Sequence, residues 1–370
     1  MGRNLKILFL VLMTTALAFG FLHQFFGTIT LNFDRLHIFL FNLCSGGTLV
    51  LYHTEKLKHL SRHARFFLII SLCYAVFAFL ELYPAAVVCS LVLCVIVESV
   101  RIRAFSFFPW GFFNSKTPVS EKFNQASLLC LSMGLFISAA VIVNNEYLKL
   151  VTIPKLKLDT FFLGFSFPLS LITMSVMFSI MKPGKTRISV FIRNLCFWTV
   201  NLGVITFFIF ILLEKLPPQV VVTILLFIAV ATVLYIFLHN VDNIQQKNFL
   251  TSGMLFLLYT AISGIGYIVI EFFPEYFEQS SKLLLKLHSF AALYGWNLSG
   301  LAVIIRYEDF PIKLHSRHLI FAHWVIVAFL APLGYYVGIV SIVAVVGYFL
   351  LLYMLFFTKT KNGGVLKQPA

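Results

Sequence analysis

The chain is a succession of apolar runs, each roughly 20 residues long and divided by short polar stretches, and this pattern constrains the fold more than anything else in it. A helix of that length rises about 30 Å, the thickness of a bilayer's hydrocarbon core. It also bonds its own backbone N–H and C=O groups, as lipid demands because lipid offers no partners. Composition agrees, with 60% hydrophobic and 11% charged residues where soluble domains carry about a quarter charged. The expected fold is all-α: a polytopic integral membrane bundle in which residues 1–370 form a single transmembrane domain, with no separate soluble domain.

Twelve transmembrane spans are read, at approximately 5–26, 36–53, 66–82, 85–100, 127–145, 161–181, 194–213, 219–238, 249–273, 284–306, 319–337 and 339–357. The parity depends on two hairpins with almost no loop, Glu81-Leu82-Tyr83-Pro84 and Gly334 to Gly338, where proline or glycine supplies the break. Three quarters of the 28 Lys and Arg fall on the N-terminal side of this arrangement. The positive-inside rule then predicts both termini in the cytoplasm, and with no organelle signal the expected location is a cytoplasmic (inner) membrane. Arg3, Lys6 and Ala16-Leu17-Ala18 also fit a secretory signal with a cleavage site. Because the apolar run continues to Phe26, an uncleaved first span is the reading adopted. The net charge of +14 is scattered over short turns, so it orients the chain and does not point to nucleic acid. Cys44, Cys73, Cys89, Cys94, Cys130 and Cys196 lie in or beside apolar runs without pairing spacing, as small core residues do.

The stretch 101–126 is the longest loop on the cytoplasmic side and crowds Phe105, Phe107, Phe108, Trp110, Phe112 and Phe113 beside Arg101 and Arg103. Such a cluster suits the headgroup layer, with rings buried and cations meeting anionic lipid. The other reading is a docking surface for a membrane or redox partner protein. Thr117 and Pro118 are expected to be the N-cap and first residue of the next helix.

One segment occurs twice. NLCSGGTLVLYHTEKLKHLSRH (42–63) aligns without a gap with NLSGLAVIIRYEDFPIKLHSRH (297–318). Both copies end spans that run outward to inward, spans two and ten, so the separation predicts a four-helix unit taken three times, with a middle copy in spans six and seven. The basic ends, Arg62 and His63, Arg317 and His318, are expected to contact lipid headgroups. His59 with His63, and His315 with His318, have helical spacing for a metal, but no carboxylate cluster accompanies them.

His37 and His288 occupy related places at the outer ends of spans two and ten, and two histidines on separate helices can hold a haem iron axially. Twelve spans, a four-helix repeat and these histidines resemble the haem-copper oxidase architecture and its NnrS-like relatives, as does LHSFAALYGWNLSGLAVIIRYEDFPIKLHSRH around His288. The resemblance implies a low-spin haem held by His37 and His288. It implies no oxidase copper site, because spans six and seven carry no histidine.

Other polar groups are few. Glu98, three residues before Arg101, is expected to be an ion-paired helix end, and Glu81, Glu214 and Glu271 sit at outer ends. Pro168 and Pro332 could free carbonyls for a ligand or simply kink their helices. Gly253, Gly264 and Gly266 are expected to allow close packing, and Asn42, Asn201, Asn297 and Trp296 are the deepest polar positions. Three functions stay open on these residues: a haem-associated redox or sensing protein, a transporter or lipid-handling protein with a polar site near Pro168, Asn201 and Asn297, and a non-catalytic membrane scaffold.

Overall fold

A computed structural model describes residues 1–25, 32–57, 59–151, 162–184, 186–242, 245–307 and 317–358, and every described element is helical. The rods are α1 Arg3–Phe19, α2 33–55, α3 Arg62–Phe79, α4 Tyr83–Ala104, α5 Val119–Leu148, α6 162–180, α7 Arg187–Leu212, α8 Leu216–Asn240, α9 Gln245–Ile270, α10 274–305, α11 Arg317–Gly334 and α12 Gly338–Phe357. Among the described residues ten helices are long and apolar enough to cross a membrane, while Gly164–Ile180 within α6 is shorter.

Local chemistry fixes the rod ends. Asn32, Ser61 and Thr186 open α2, α3 and α7 by accepting the backbone N–H three residues on, from Arg35, Ala64 and Ser189, at 3.0, 2.9 and 3.1 Å. The break between α3 and α4 falls at Leu80–Leu82, with Glu81 in the left-handed region (φ 60°) and Pro84 in the first turn of α4. The turn between α7 and α8 is made the same way, with Glu214 at φ 54° and proline in the following turn. Both close with the same long bond, Leu82 N–H to Phe77 O at 2.9 Å and Lys215 N–H to Phe210 O at 3.0 Å. Against expectation, Thr117 caps nothing: α5 opens at Val119, and the Pro118 carbonyl accepts from Glu121 and Lys122.

The burial of the rods separates inner from outer. The least hydropathic span, Arg35–Glu55 in α2, has 83% of its window buried, against 22% for Arg187–Leu212 in α7. Rods α2, α6 and α10 pack on one another at the centre, the remaining rods surround them, and α12 closes back on α1. Each central rod contains a π-helical stretch, Phe39–Gly47 in α2, Phe162–Ser166 in α6 and Ala291–Asn297 in α10. Such stretches rotate the side chains that follow and leave carbonyls off the regular ladder.

Close approach depends on small residues. A Cβ on Gly134 would lie 2.2 Å from the Gly164 Cα, so α5 and α6 meet backbone to backbone. A Cβ on Gly46 would strike the Leu169 side chain at 2.5 Å, and one on Gly300 the Thr173 hydroxyl at 2.0 Å. Of the α9 glycines, Gly253 and Gly264 are needed for contact with α10, whereas a Cβ on Gly266 would find only ordinary neighbours at 3.8 Å. At the inner ends, the buried Arg306 of α10 donates to the carbonyls of Leu355, Phe356 and Thr358, capping α12.

Candidate functional site

The inner faces of α2, α10, α11 and α12 meet at Tyr294, which lies in the π-helical stretch of α10 and is 1% exposed. Its ring packs against His37 (5.5 Å between centroids), Phe41 (4.8 Å), Phe290 (6.0 Å) and Tyr348 (5.1 Å). Around this ring the bundle gathers two histidines, His37 and His323, and two tyrosines, Tyr294 and Tyr348.

His37 Nδ1 has two partners, the Ala16 carbonyl at 2.8 Å and the Tyr294 hydroxyl at 2.9 Å. A carbonyl only accepts, so the first contact needs a proton on Nδ1; to accept from Tyr294 the same nitrogen must be bare. The phenol oxygen also accepts, so a single proton on Nδ1 serves both contacts, whereas a bare Nδ1 keeps only the bond from Tyr294.

His323 lies roughly two turns into α11 and is fully buried. Its Nε2 donates to the Tyr294 carbonyl at 2.6 Å, which fixes the proton on Nε2 and leaves Nδ1 as a lone pair without a partner. The ring lies between Phe249 (5.8 Å) and Phe256 (4.8 Å). Tyr348 OH, Asn42 Oδ1, Asn297 Oδ1 and Thr14 Oγ1 are likewise buried without a partner. All five atoms can accept a hydrogen bond, and all belong to α1, α2, α10, α11 or α12.

His37 and His288 are held alike, each on the rod before its own. His288 Nδ1 donates to the Thr260 carbonyl at 2.9 Å, with its ring over Gly264, as His37 reaches Ala16 with its ring over Gly20. A carbonyl-fixed imidazole has the donor chemistry of an axial haem ligand. The space around the two rings does not fit a haem, because Phe290 and Tyr294 are what α10 presents to His37. His288, two positions before Phe290 and so about 200° around the helix, faces α9. The two imidazoles are not brought face to face.

The other expected groups are placed as follows. Arg62, Arg317 and His318 are exposed at rod ends, while His63 is half-buried and lies 3.2 Å from Glu55. His315 lies outside the described residues, and no group of three potential metal ligands occurs among the described ones. Glu98 pairs with Arg101 at 2.7 Å. Arg101 is thereby turned from the lipid, and it also donates to the carbonyls of Ser106 and Phe107, tying down the aromatic loop. The Pro168 carbonyl accepts from Ser127 at 2.7 Å, and Asn201 donates to its own helix at Phe197. Only Asn297 of that expected polar trio keeps an unpartnered atom; its Nδ2 approaches Ser166 at 3.4 Å.

Tyr294, His323 and Tyr348 were not singled out by sequence. His323 carried a readable signal, an ionisable residue well inside an apolar run. The tyrosines carried none, since tyrosine is common at membrane interfaces.

Fold and site together define a multi-pass, all-α membrane protein with a polar interior. No known family model matches the chain, and neither a curated protein nor a solved structure does.

Proposed function

We propose that the protein is a twelve-span protein of the cytoplasmic membrane, both termini cytoplasmic, whose interior beside Tyr294 takes up a small uncharged molecule that donates hydrogen bonds. The observation that carries this reading is the set of unpartnered acceptors: His323 Nδ1, Tyr348 OH, Asn42 Oδ1, Asn297 Oδ1 and Thr14 Oγ1. Each buried polar atom left unbonded costs about 1–3 kcal/mol, a cost that a donor-bearing occupant would offset at the atoms it reaches. A charged occupant has no counter-ion there, and the aromatic lining of Phe41, Phe290, Phe249 and Phe256 favours a neutral one.

The proposed architecture is three four-helix units. Its support is the matched glutamate turns ending α3 and α7, with the π-helical stretch in each of α2, α6 and α10; α5 and α11 carry π-helical stretches as well. In this register His37 corresponds to His288, and Thr48 to Ser299, each of which returns its hydroxyl to the carbonyl four residues back.

The test is thermal unfolding of purified protein with phenol, hydroquinone and urea as neutral donor probes, alongside mass spectrometry of whatever small molecule co-purifies. One probe or a retained neutral compound should raise the midpoint of the wild type and leave Asn297→Leu and His323→Phe unmoved, as binding to the folded state alone requires. No shift with any probe and no retained compound overturns the reading. A Soret band abolished in the His37→Ala, His288→Ala double variant would replace it with haem binding.

A further inference from the structure

At the opposite, inner end of the bundle two cations are buried between α5 and α7 without a carboxylate. Lys122 is 2% exposed; its ammonium donates to the Phe112 carbonyl at 2.9 Å and to Asn194 Oδ1 at 2.7 Å, and lies 6.0 Å from the centre of the Phe197 ring. Arg193 is 7% exposed, and its Nε and Nη2 are buried without any hydrogen-bond partner. Arg193 belongs to the buried stripe of α7 that continues through Cys196, Phe197, Val200 and Asn201. That stripe faces α5, since Phe197 packs on Phe123 at 5.1 Å. Arg193 is thus one turn from the ring over which Lys122 sits.

A third donor is stranded one turn further along α5. Gln125, one turn after Lys122, is 3% exposed and its Nε2 has no partner. Among the described residues no ion pair joins Lys122 or Arg193 to an acid. Of the acids at these rod ends, Glu98 holds Arg101 and Ser132, Glu55 lies against His63, and Glu121, the residue before Lys122, is exposed in the first turn of α5.

A buried guanidinium with two unmet N–H groups is costly unless an anion supplies the acceptors. Guanidinium donors match a phosphate in geometry, and an ammonium beside them adds a point charge. We infer that the inner ends of α5 and α7 form a binding site for a phosphate-bearing anion, held by Arg193 with Lys122 and Gln125. Basic pockets between transmembrane helices are where phospholipid headgroups bind, and the surroundings suit a lipid. Trp110 and Phe113 beside the site are 69% and 66% exposed, as are Ile188 and Phe191 (71% and 66%) on the outer side of α7. Acyl chains would lie on these rings while the phosphate reaches inward to Arg193.

The test uses the full chain in nanodiscs of phosphatidylcholine with or without phosphatidylglycerol, with inorganic phosphate as a separate arm, read by native mass spectrometry and by thermal unfolding. Wild type and Arg193→Lys should retain phosphatidylglycerol and melt higher in its presence, and Arg193→Gln should retain at least tenfold less. If inorganic phosphate alone gives the Arg193-dependent rise and the lipid does not, the anion is a soluble phosphate and the site stands. Equal retention by wild type and Arg193→Gln, or no effect of either anion on the wild type, overturns the inference. Lys122→Gln, which keeps a side chain able to reach Phe112 and Asn194, repeats the test should Arg193→Gln fail to fold.

Discussion

At the scale of single residues, the histidines of α2 and α10 separate similarity of placement from similarity of role. Both rest on a glycine of the preceding rod, yet His37 is 9% exposed with two partners while His288 is half-buried with one. A Cβ on Gly20 would come within 2.7 Å of His37 Nδ1, and one on Gly264 within 3.0 Å of His288 Nδ1. Gly20→Ala should therefore destabilise by about 1–3 kcal/mol, the usual cost of overpacking, and Gly264→Ala by less, because its half-buried ring has room to turn. Denaturant titration in detergent would measure both; equal losses would contradict this ranking. Tyr294→Phe removes one hydroxyl and leaves the Ala16 bond, so a loss of about 1 kcal/mol is expected. The sequence showed His37 and His288 to be related, and it could not show that the aromatic pair on α10, not His288, faces His37. That depends on how the helix is rotated, which apolar spacing alone does not fix when every face of a central rod is buried.

At the scale of elements, the contacts of α6 divide into those a side chain can relieve and those it cannot. Gly46→Ala would meet only the outer atoms of Leu169, so adding Leu169→Ala to the same chain should restore much of the lost stability. Gly134→Ala meets the backbone of Gly164, and no side-chain change should rescue it. Recovery of folded, monodisperse protein from the two pairs would decide, and rescue of Gly134→Ala would disprove the backbone contact. The short hairpins at Glu81 and Gly334 to Gly338 were legible because proline and glycine mark where a helix must stop. The likeness of the Glu81 and Glu214 turns was present in the sequence too, as Leu-Glu followed closely by Pro, but it was weaker than the basic segments that drew attention. Those segments align Asn42 with Asn297, whereas the π-helical stretches align His37 with His288. The two registers differ by one helical turn, a difference already legible in the sequence because His37 precedes Asn42 by five residues and His288 precedes Asn297 by nine, and residues 308–316 of the second segment lie outside the described part of the chain.

At the scale of the whole molecule, hydropathy carried more information than span counting used. Among the ten long rods α2 is the most buried and the least hydropathic, while α8, Leu216–Asn240, is the most hydropathic and largely unburied. Lipid-facing rods must be apolar all round, whereas a rod shielded by others can carry Asn42, Ser45 and Thr48 if they find bonds. With both ends proposed to share one compartment, cysteines placed at Gly2 and Thr358 should react with an impermeant thiol reagent from the same side of sealed vesicles. Opposite-side labelling would overturn the even span count.

The clasp between Arg306 and the end of α12 has a consequence for the order of assembly. Its acceptors, Leu355, Phe356 and Thr358, follow it by 49, 50 and 52 residues. A ribosome adds Arg306 before them, so the guanidinium belongs to a growing protein whose latch has yet to be synthesised. Insertion of the tenth rod is then provisional until translation reaches the twelfth, and a chain stopped at Met354 should be recognised and degraded during biogenesis, although every other rod has been made.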